Sequence, residues 1–333
     1  MPTLEFTLMV GCPLKCTFCP QDAVRKAYGN NTKYLSLQHF QDILGKVPRH
    51  VRIDFSGMAE PWANPDATSM LRYALQDGRT VAIYTTLYGM EDEDGAAVID
   101  LLRGHADQIE VLCLHLPDEA GNIRGWRYSP LYERNLRRFI AFGPSGVLGR
   151  PRLVIRRFGV LRRLLKVLGL SGVLGRMRKA AGWSGSIGRF ELMTMDASGR
   201  LHHDLDHLGI TLGAWTGHTR AGNVGLDDVR GQKISRAPEK HGAVSCSFTP
   251  FYDQNVCLPN GDVVLCCMDY SLKHRIGNLL EQEYYEMFAS GAIAPLLSEN
   301  MNPIFSCASL CKTCDRARVY CAGPEKQFWK TLT

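Results

Sequence analysis

The chain reads as an α/β protein, with a parallel sheet and right-handed helical crossovers in its first half and a cysteine-rich segment at its end. Two observations predict this. Short β-forming runs alternate with helix-spaced segments, giving four βα-type repeats in about 115 residues. The twelve cysteines fall into two groups, three within residues 12 to 19 and eight between Cys246 and Cys321, with Cys113 alone between them. Of the 333 residues, 45% are hydrophobic and 22% charged, an ordinary globular balance.

The elements follow in order. "LEFTLMV" (4 to 10) is a strand that ends at Gly11. "LSLQHFQDILGKV" (35 to 47) has helical spacing, with Ser36 as N-cap. "VRIDFSG" (51 to 57) is a short buried strand stopped by glycine, and "DATSMLRYALQDG" (66 to 78) a helix capped by Asp66. "TVAIYTTLYG" (80 to 89) is a strand, "GAAVIDLLRGHA" (95 to 106) a helix and "QIEVLCLHLPD" (108 to 118) a strand. "SPLYERNLRRFIAFG" (129 to 143) is helical, "GRFELMTMDASG" (188 to 199) a further strand, and "HTRAGN" (218 to 223) ends another. Residues 147 to 183 lack acidic side chains, and ten Arg or Lys fall between 150 and 179. Leu161, Leu164, Leu165 and Leu168 share one helical face there. The composition shifts again at 230 to 243, which predicts a domain of 1–235 followed by one of 240–333.

The net charge of +6 fits anionic small molecules, nucleic acid or a membrane surface and selects none of them. No uncharged apolar run reaches 18 residues, so a spanning helix is not expected. "MPTLEFTLMVGCPLKC" lacks a basic n-region and reads as a strand rather than a signal peptide, so a cytoplasmic location is expected. In that reducing setting the cysteines argue for metal or redox chemistry over disulfides.

"GCPLKCTFCPQ" (11 to 21) places Cys12, Cys16 and Cys19 at C-x3-C-x2-C on the loop after the first strand. Three thiolates leave a tetrahedral zinc site one ligand short. A four-iron cluster held by three cysteines instead keeps one iron open. Loops at that end of parallel strands carry the chemistry of barrel enzymes.

This motif, with Phe18 before its third cysteine, resembles the radical S-adenosylmethionine superfamily. The resemblance implies a partial (β/α)6 barrel, a [4Fe-4S] cluster on Cys12, Cys16 and Cys19, and S-adenosylmethionine chelated at the open iron. It also implies reductive cleavage to a 5′-deoxyadenosyl radical that abstracts hydrogen, with a reductant such as flavodoxin or ferredoxin. "SGMAEP" resembles the family's GGEP-like stretch, so Ser56, Gly57, Met58, Ala59 and Glu60 are expected at the cofactor. Met58 and Ala59 depart from the glycine-like pattern, which backbone contacts tolerate. The other readings are a structural zinc knuckle and an ordinary strand-to-loop turn.

Fourteen residues separate Cys246 from Gly261 and four separate Gly261 from Cys266, which resembles the opening of SPASM and twitch extensions. "VCLPNGDVVLCC" reads as a β-hairpin around Asn260-Gly261, and "LCKTC" supplies a C-x2-C pair. Cys246, Cys266, Cys311 and Cys314 are therefore expected to hold an auxiliary [4Fe-4S] cluster in a small cysteine-rich α+β domain. Zinc is the alternative at that site. The later SPASM spacing departs from the pattern, which leaves a second cluster on Cys257, Cys267, Cys307 and Cys321 as a lesser option. The "GN" of "HRIGNLL" (274 to 280) is read as structural.

Cys113 and His115 share a strand face. His115 is expected to face S-adenosylmethionine, and Cys113 is a candidate hydrogen donor, with a buried inert thiol as the alternative. Tyr84 and Thr86 are weaker cofactor candidates, and Arg220 is expected on a carboxylate or an anionic substrate. "LHHDLDHLG" (201 to 209) reads as a solvated turn, with His203 and Asp204 as substrate candidates. The basic segment is either an amphipathic lid on a membrane surface or a docked helix with a solvated face. Nucleic acid is not expected, because few aromatics interleave with these charges. The expected substrate is a carbohydrate or nucleotide-sugar in polysaccharide or natural-product assembly. The alternatives are a maturase of a ribosomally made peptide and a non-catalytic iron–sulfur or zinc scaffold.

Overall fold

A computed structural model describes residues 1–117, 121–147, 188–194, 212–214, 219–224 and 239–320. Strands β1 (Thr3–Phe6), β2 (Arg52–Phe55), β3 (Val81–Thr85), β4 (Ile109–His115), β5 (Arg189–Thr194) and β6 (Leu212–Ala214) lie side by side in that order, every pair parallel. Helices α1 (Gln21–Tyr28), α2 (Leu37–Lys46), α3 (Ala67–Gln76), α4 (Asp92–Gly104) and α5 (Pro130–Val147) fall between them.

The period of two along each strand gives the sheet two unlike faces. Leu4, Phe6, Ile53 and Phe55 point to the helices and are fully buried. Phe40 of α2 packs between them, 4.8 Å from Phe6 and 5.9 Å from Phe55 between ring centroids. Burial of each such ring contributes about 2–3 kcal/mol. Thr3, Glu5, Arg52, Asp54 and Ser56 occupy the alternate positions and line a cavity.

Four local expectations are corrected. β1 stops at Phe6, because Leu8 and Val10 leave the sheet to bond Leu35 and Lys33 of the segment before α2. Asp66 makes no side-chain cap on α3; the Asn64 side chain accepts from its N–H at 2.9 Å instead. α4 begins at Asp92 rather than residue 95, since Glu91 and Asp94 form a capping box there. Residues 219–224 are a turn and not a strand end, with Arg220 and Ala221 at φ +49° and +55°. Ser36 caps α2 as expected, accepting from His39 N–H at 3.1 Å.

The cysteine-rich segment adds β7 (Val244–Cys246), β8 (Gln254–Cys257), β9 (Asp262–Val264), β10 (Arg275–Asn278), α6 (Tyr284–Ala289), α7 (Ala294–Met301) and β11 (Ala317–Val319). β8 and β9 form the expected hairpin through Asn260-Gly261. Gly261 sits at φ +83°, and a Cβ there would lie 2.6 Å from Asn278 Oδ1. Asn278, of the "GN" pair, donates to Asn260 O and Asp262 Oδ1 at 3.1 and 2.9 Å, so its role is structural. β8 pairs parallel with β1, so the hairpin and β10 extend the first sheet to nine strands among the described residues. This covers the edge that β1 would otherwise expose. β7 and β11 form a separate antiparallel ribbon. Of the expected boundary at 230 to 243 residues 230–238, of the basic segment at 147 to 183 residues 148–183, and the whole histidine-rich segment at 201 to 209 with His203 and Asp204, lie outside the described residues. Among the described residues no helix is long and apolar enough to cross a membrane.

Candidate active site and cluster ligands

The loop after β1 carries Cys12, Cys16 and Cys19 over the end of the sheet. The segment following β4 clasps it: Thr17 N–H and Oγ1 donate to Asn122 O and Oδ1 at 2.9 and 2.7 Å, and Cys16 bridges to Ile123. Gly125 makes the approach possible, since a Cβ there would lie 2.4 Å from Pro13 O. Burial pushes the Cys12 thiol up to about 12, and burial with the neighbouring Cys19 and Cys12 pushes Cys16 well above its usual range. Each group is in the others' field. A metal site that deprotonates them relieves this.

The "SGMAEP" loop after β2 lies against this loop. Glu60 N–H approaches Cys12 Sγ at 3.5 Å. Met58 N–H donates to Thr7 Oγ1 at 3.0 Å. Gly57 sits at φ +71°, where a Cβ would lie 2.3 Å from Thr7 Oγ1, so a side chain at this position has no room. The buried Glu60 carboxylate accepts from Thr85 Oγ1 at 2.5 Å, and from Thr86 N–H and Oγ1 at 2.8 Å each. Its side chain thereby fixes the loop to the end of β3.

The second thiol group is built from three places. Cys246 ends β7, Cys266 follows β9, Cys311 lies in a 3-10 turn at Leu310–Thr313 and Cys314 ends it. Ser309 Oγ accepts from Cys311 N–H at 3.0 Å and donates to Asn300 at 2.6 Å. His274 Nε2 accepts from Leu310 N–H at 3.1 Å, joining this turn to the segment after Cys266. Burial raises Cys266, Cys311 and Cys314. Cys311 and Cys314 act on Cys266, and Cys246 acts on both of them. The four expected ligands line one cavity. Three thiolates leave a zinc ion one ligand short, whereas a four-iron cluster can keep one iron open, so the first set suits iron–sulfur ligation. The lesser option of a second auxiliary cluster fares worse. Cys257 is buried in the apolar core, Cys267 lines the cavity, Cys307 is exposed and Cys321 lies outside the described residues.

Both thiol groups open on one cavity of about 450 Å³. Every residue expected from sequence at the cofactor, at the three-cysteine cluster or at the first auxiliary cluster lines it. Cys113 does not. It is fully buried with Ala82 and Val111 beneath Tyr84, one pleat below His115, because it shares that residue's strand face but not its level. Its placement is that of a buried thiol away from the cavity, the other reading the sequence offered.

Arg220 stacks over the Tyr270 ring at 5.7 Å, and the Tyr270 hydroxyl is 3.4 Å from Cys19 Sγ. Its turn is tied by Thr219 to Asp315, beside Cys314. Burial pushes His115 down to about 4, with the Arg220 charge adding to the effect, so its imidazole is neutral. Sequence reasoning missed Gln21, Thr7, Tyr270, Glu5 and the Arg52–Asp54 pair, and offered Cys267 only as a ligand of a second auxiliary cluster. Burial raises Glu5, opposed by Ser56, Cys267 and Arg220. Arg52 grips both Asp54 oxygens at 2.7 and 2.8 Å, and opposes the burial that pushes Asp54 up to about 7. The alternation T-L-E-F-T and R-I-D-F-S could have shown Glu5, Arg52 and Asp54 facing inward.

Residues 246–315 match the SPASM family, an iron–sulfur cluster-binding domain. No curated protein matches the sequence. Among solved structures, BtrN in complex with AdoMet and 2-DOIA is similar at 11% identity and a TM-score of 0.52, over 96% of this chain and 94% of that one. AdoMet-bound anSMEcpe has 11% identity and a TM-score of 0.42, over 91% and 81%. Streptococcus suis SuiB bound to precursor peptide SuiA has 12% identity and a TM-score of 0.46, over 94% and 69%. The likeness to BtrN bears on the fold alone. Residues 246–315 thus carry a SPASM domain, the sheet and helices share the fold of BtrN, and the three-cysteine loop resembles that of the radical S-adenosylmethionine superfamily.

Proposed function

We propose that the enzyme abstracts hydrogen from a neutral or amine-bearing polyol, such as a sugar or cyclitol, bound between its two thiol groups. The observation that carries this is the cavity wall between them, where Glu5, Ser56, Tyr84 and His115 stand among the cysteines. A carboxylate, a hydroxyl, a phenol and a neutral imidazole suit a substrate rich in hydroxyl or amine donors. A nucleotide-sugar diphosphate fits less well. Arg52 is already held by Asp54 and Glu110, and Arg316 lies over the Phe248 ring.

When bound, the cluster on Cys12, Cys16 and Cys19 supplies the electron that cleaves S-adenosylmethionine to a hydrogen-abstracting radical. Around it the protein binds and orients. Arg220 suits the methionine carboxylate, since it lies by Tyr270 and Cys19. The backbone of Ser56–Pro61 suits the amino group, held by Thr7 and by Glu60. Neutral His115 accepts a substrate hydroxyl proton at a ring nitrogen. Similarity to BtrN, whose structure holds 2-DOIA, supports a small-molecule reading only through the shared fold.

The test is anaerobic reconstitution with iron and sulfide, reduction, and assay of 5′-deoxyadenosine with neutral sugars and cyclitols, nucleotide-sugars and short peptides. A variant with Cys12, Cys16 and Cys19 all changed to Ala is the control. We expect 5′-deoxyadenosine from the intact chain alone, most with the neutral polyols, and auxiliary iron retained in the variant. Stimulation by peptides alone would transfer the reading to a peptide maturase.

A further inference from the structure

We infer that Gln21 is a positioning residue that locks the three-cysteine loop to the Ser56–Pro61 loop, and thereby sets both the potential of the cluster and the grip on S-adenosylmethionine. This rests on the reading of the site given above.

One side-chain amide makes three contacts. Gln21 Oε1 accepts from Cys12 N–H at 3.2 Å. Its Nε2 donates to Cys19 Sγ at 3.1 Å and to Met58 O at 2.5 Å. The amide can point only one way, because Cys12 offers a donor and Met58 an acceptor. Its backbone is fixed too. Gln21 opens α1, and its N–H donates to Cys19 O at 2.8 Å. Val24 and Tyr28 seat that helix in a cluster with Val10 and Met58. The side chain thus spans two loops from a helix packed against both.

Two consequences follow from the chemistry. An N–H dipole aimed at a ligating sulfur stabilises the more negative, reduced cluster and raises its potential. A carbonyl held at Met58 fixes the backbone proposed to receive the methionine amino group. Glutamate at this position could still accept from Cys12 N–H but could donate to neither sulfur nor carbonyl. Leucine could do none of this.

The test compares full-length Gln21→Leu and Gln21→Glu with wild type after reconstitution. Redox titration followed by electron paramagnetic resonance gives the potential of each cluster, and equilibrium binding gives the affinity for S-adenosylmethionine. We expect both variants to keep the auxiliary potential, to lower the potential of the three-cysteine cluster, and to bind S-adenosylmethionine about five- to tenfold more weakly. If Gln21→Leu loses that cluster, Gln21→Glu still reports. Wild-type potential and affinity in the variants overturn the inference, and a shifted potential with unchanged affinity overturns its Met58 half. A wild-type cluster signal that S-adenosylmethionine leaves unaltered overturns the site reading itself, and this inference with it.

Discussion

His115 ends β4 at the cavity wall, with the Tyr84 ring 6.4 Å away and the Arg220 charge acting on it. Its value in the folded protein, about 4, lies below the ordinary 6.5. Between those two values the unfolded chain binds the extra proton and the folded chain does not. Stability from this group is therefore present above pH 6.5 and is lost as pH falls toward 4. We expect His115→Gln to flatten that part of the pH dependence, seen as a smaller fall in thermal midpoint between pH 7 and 5. Parallel curves for the two proteins would sink the assignment. At this scale the sequence marked the candidate ligands, which line one cavity, because thiol spacing is itself the signal. It hid Tyr270, whose partner Cys19 is distant in sequence, and the role of Gln21, whose third contact is Met58 on another loop. It left Cys113 between hydrogen donor and buried thiol because strand alternation gives the face of a residue and not its depth.

Among the elements, the segment 122–126 has the least regular structure and a demanding position. It has no place in the strand and helix pattern, yet it covers the cluster loop through Asn122, Ile123 and Gly125. Gly125→Ala would drive a methyl group into Pro13 O, and backbone cannot step aside as a flexible side chain can. We expect such a variant to lose iron from the three-cysteine site faster than wild type when challenged with a chelator, with auxiliary iron released at the wild-type rate. Equal rates at both sites would show that the clasp does not guard the cluster. The strands and helices from α2 to β5 were legible to within a few residues, whereas α1 (Gln21–Tyr28), β6 and the elements beyond β9 were not read. The displaced ends have local causes: the capping box at Glu91, the Asn64 amide competing with Asp66, and the departure of Leu8–Val10 toward the segment before α2. These are tertiary or cap contacts that hydrophobic period does not encode.

On the scale of the molecule, the two halves read from the sequence share one sheet and one core. Cys257, Val263, Leu265 and Ile276 pack in the same apolar cluster as Leu4, Phe6 and Phe40. The hairpin was legible from Asn260-Gly261, but its docking on β1 was not, because strand pairing between distant segments leaves no local mark. A chain cut after residue 240 would leave β1 as an open edge, and we expect it to elute as aggregate where the full chain is monodisperse. A monomeric fragment with a cooperative melting transition would refute this. The same pairing orders events in time. Phe6 meets Cys257 about 250 residues later in the chain. A ribosome adding about 5–20 residues per second needs roughly 10–50 s to cross that interval. Throughout it the nascent protein offers Cys12, Cys16 and Cys19 to the surroundings, while Tyr270, which will stand beside Cys19, has yet to be made. Translation itself thus holds the first thiols open to iron delivery before the second half of the protein closes over them.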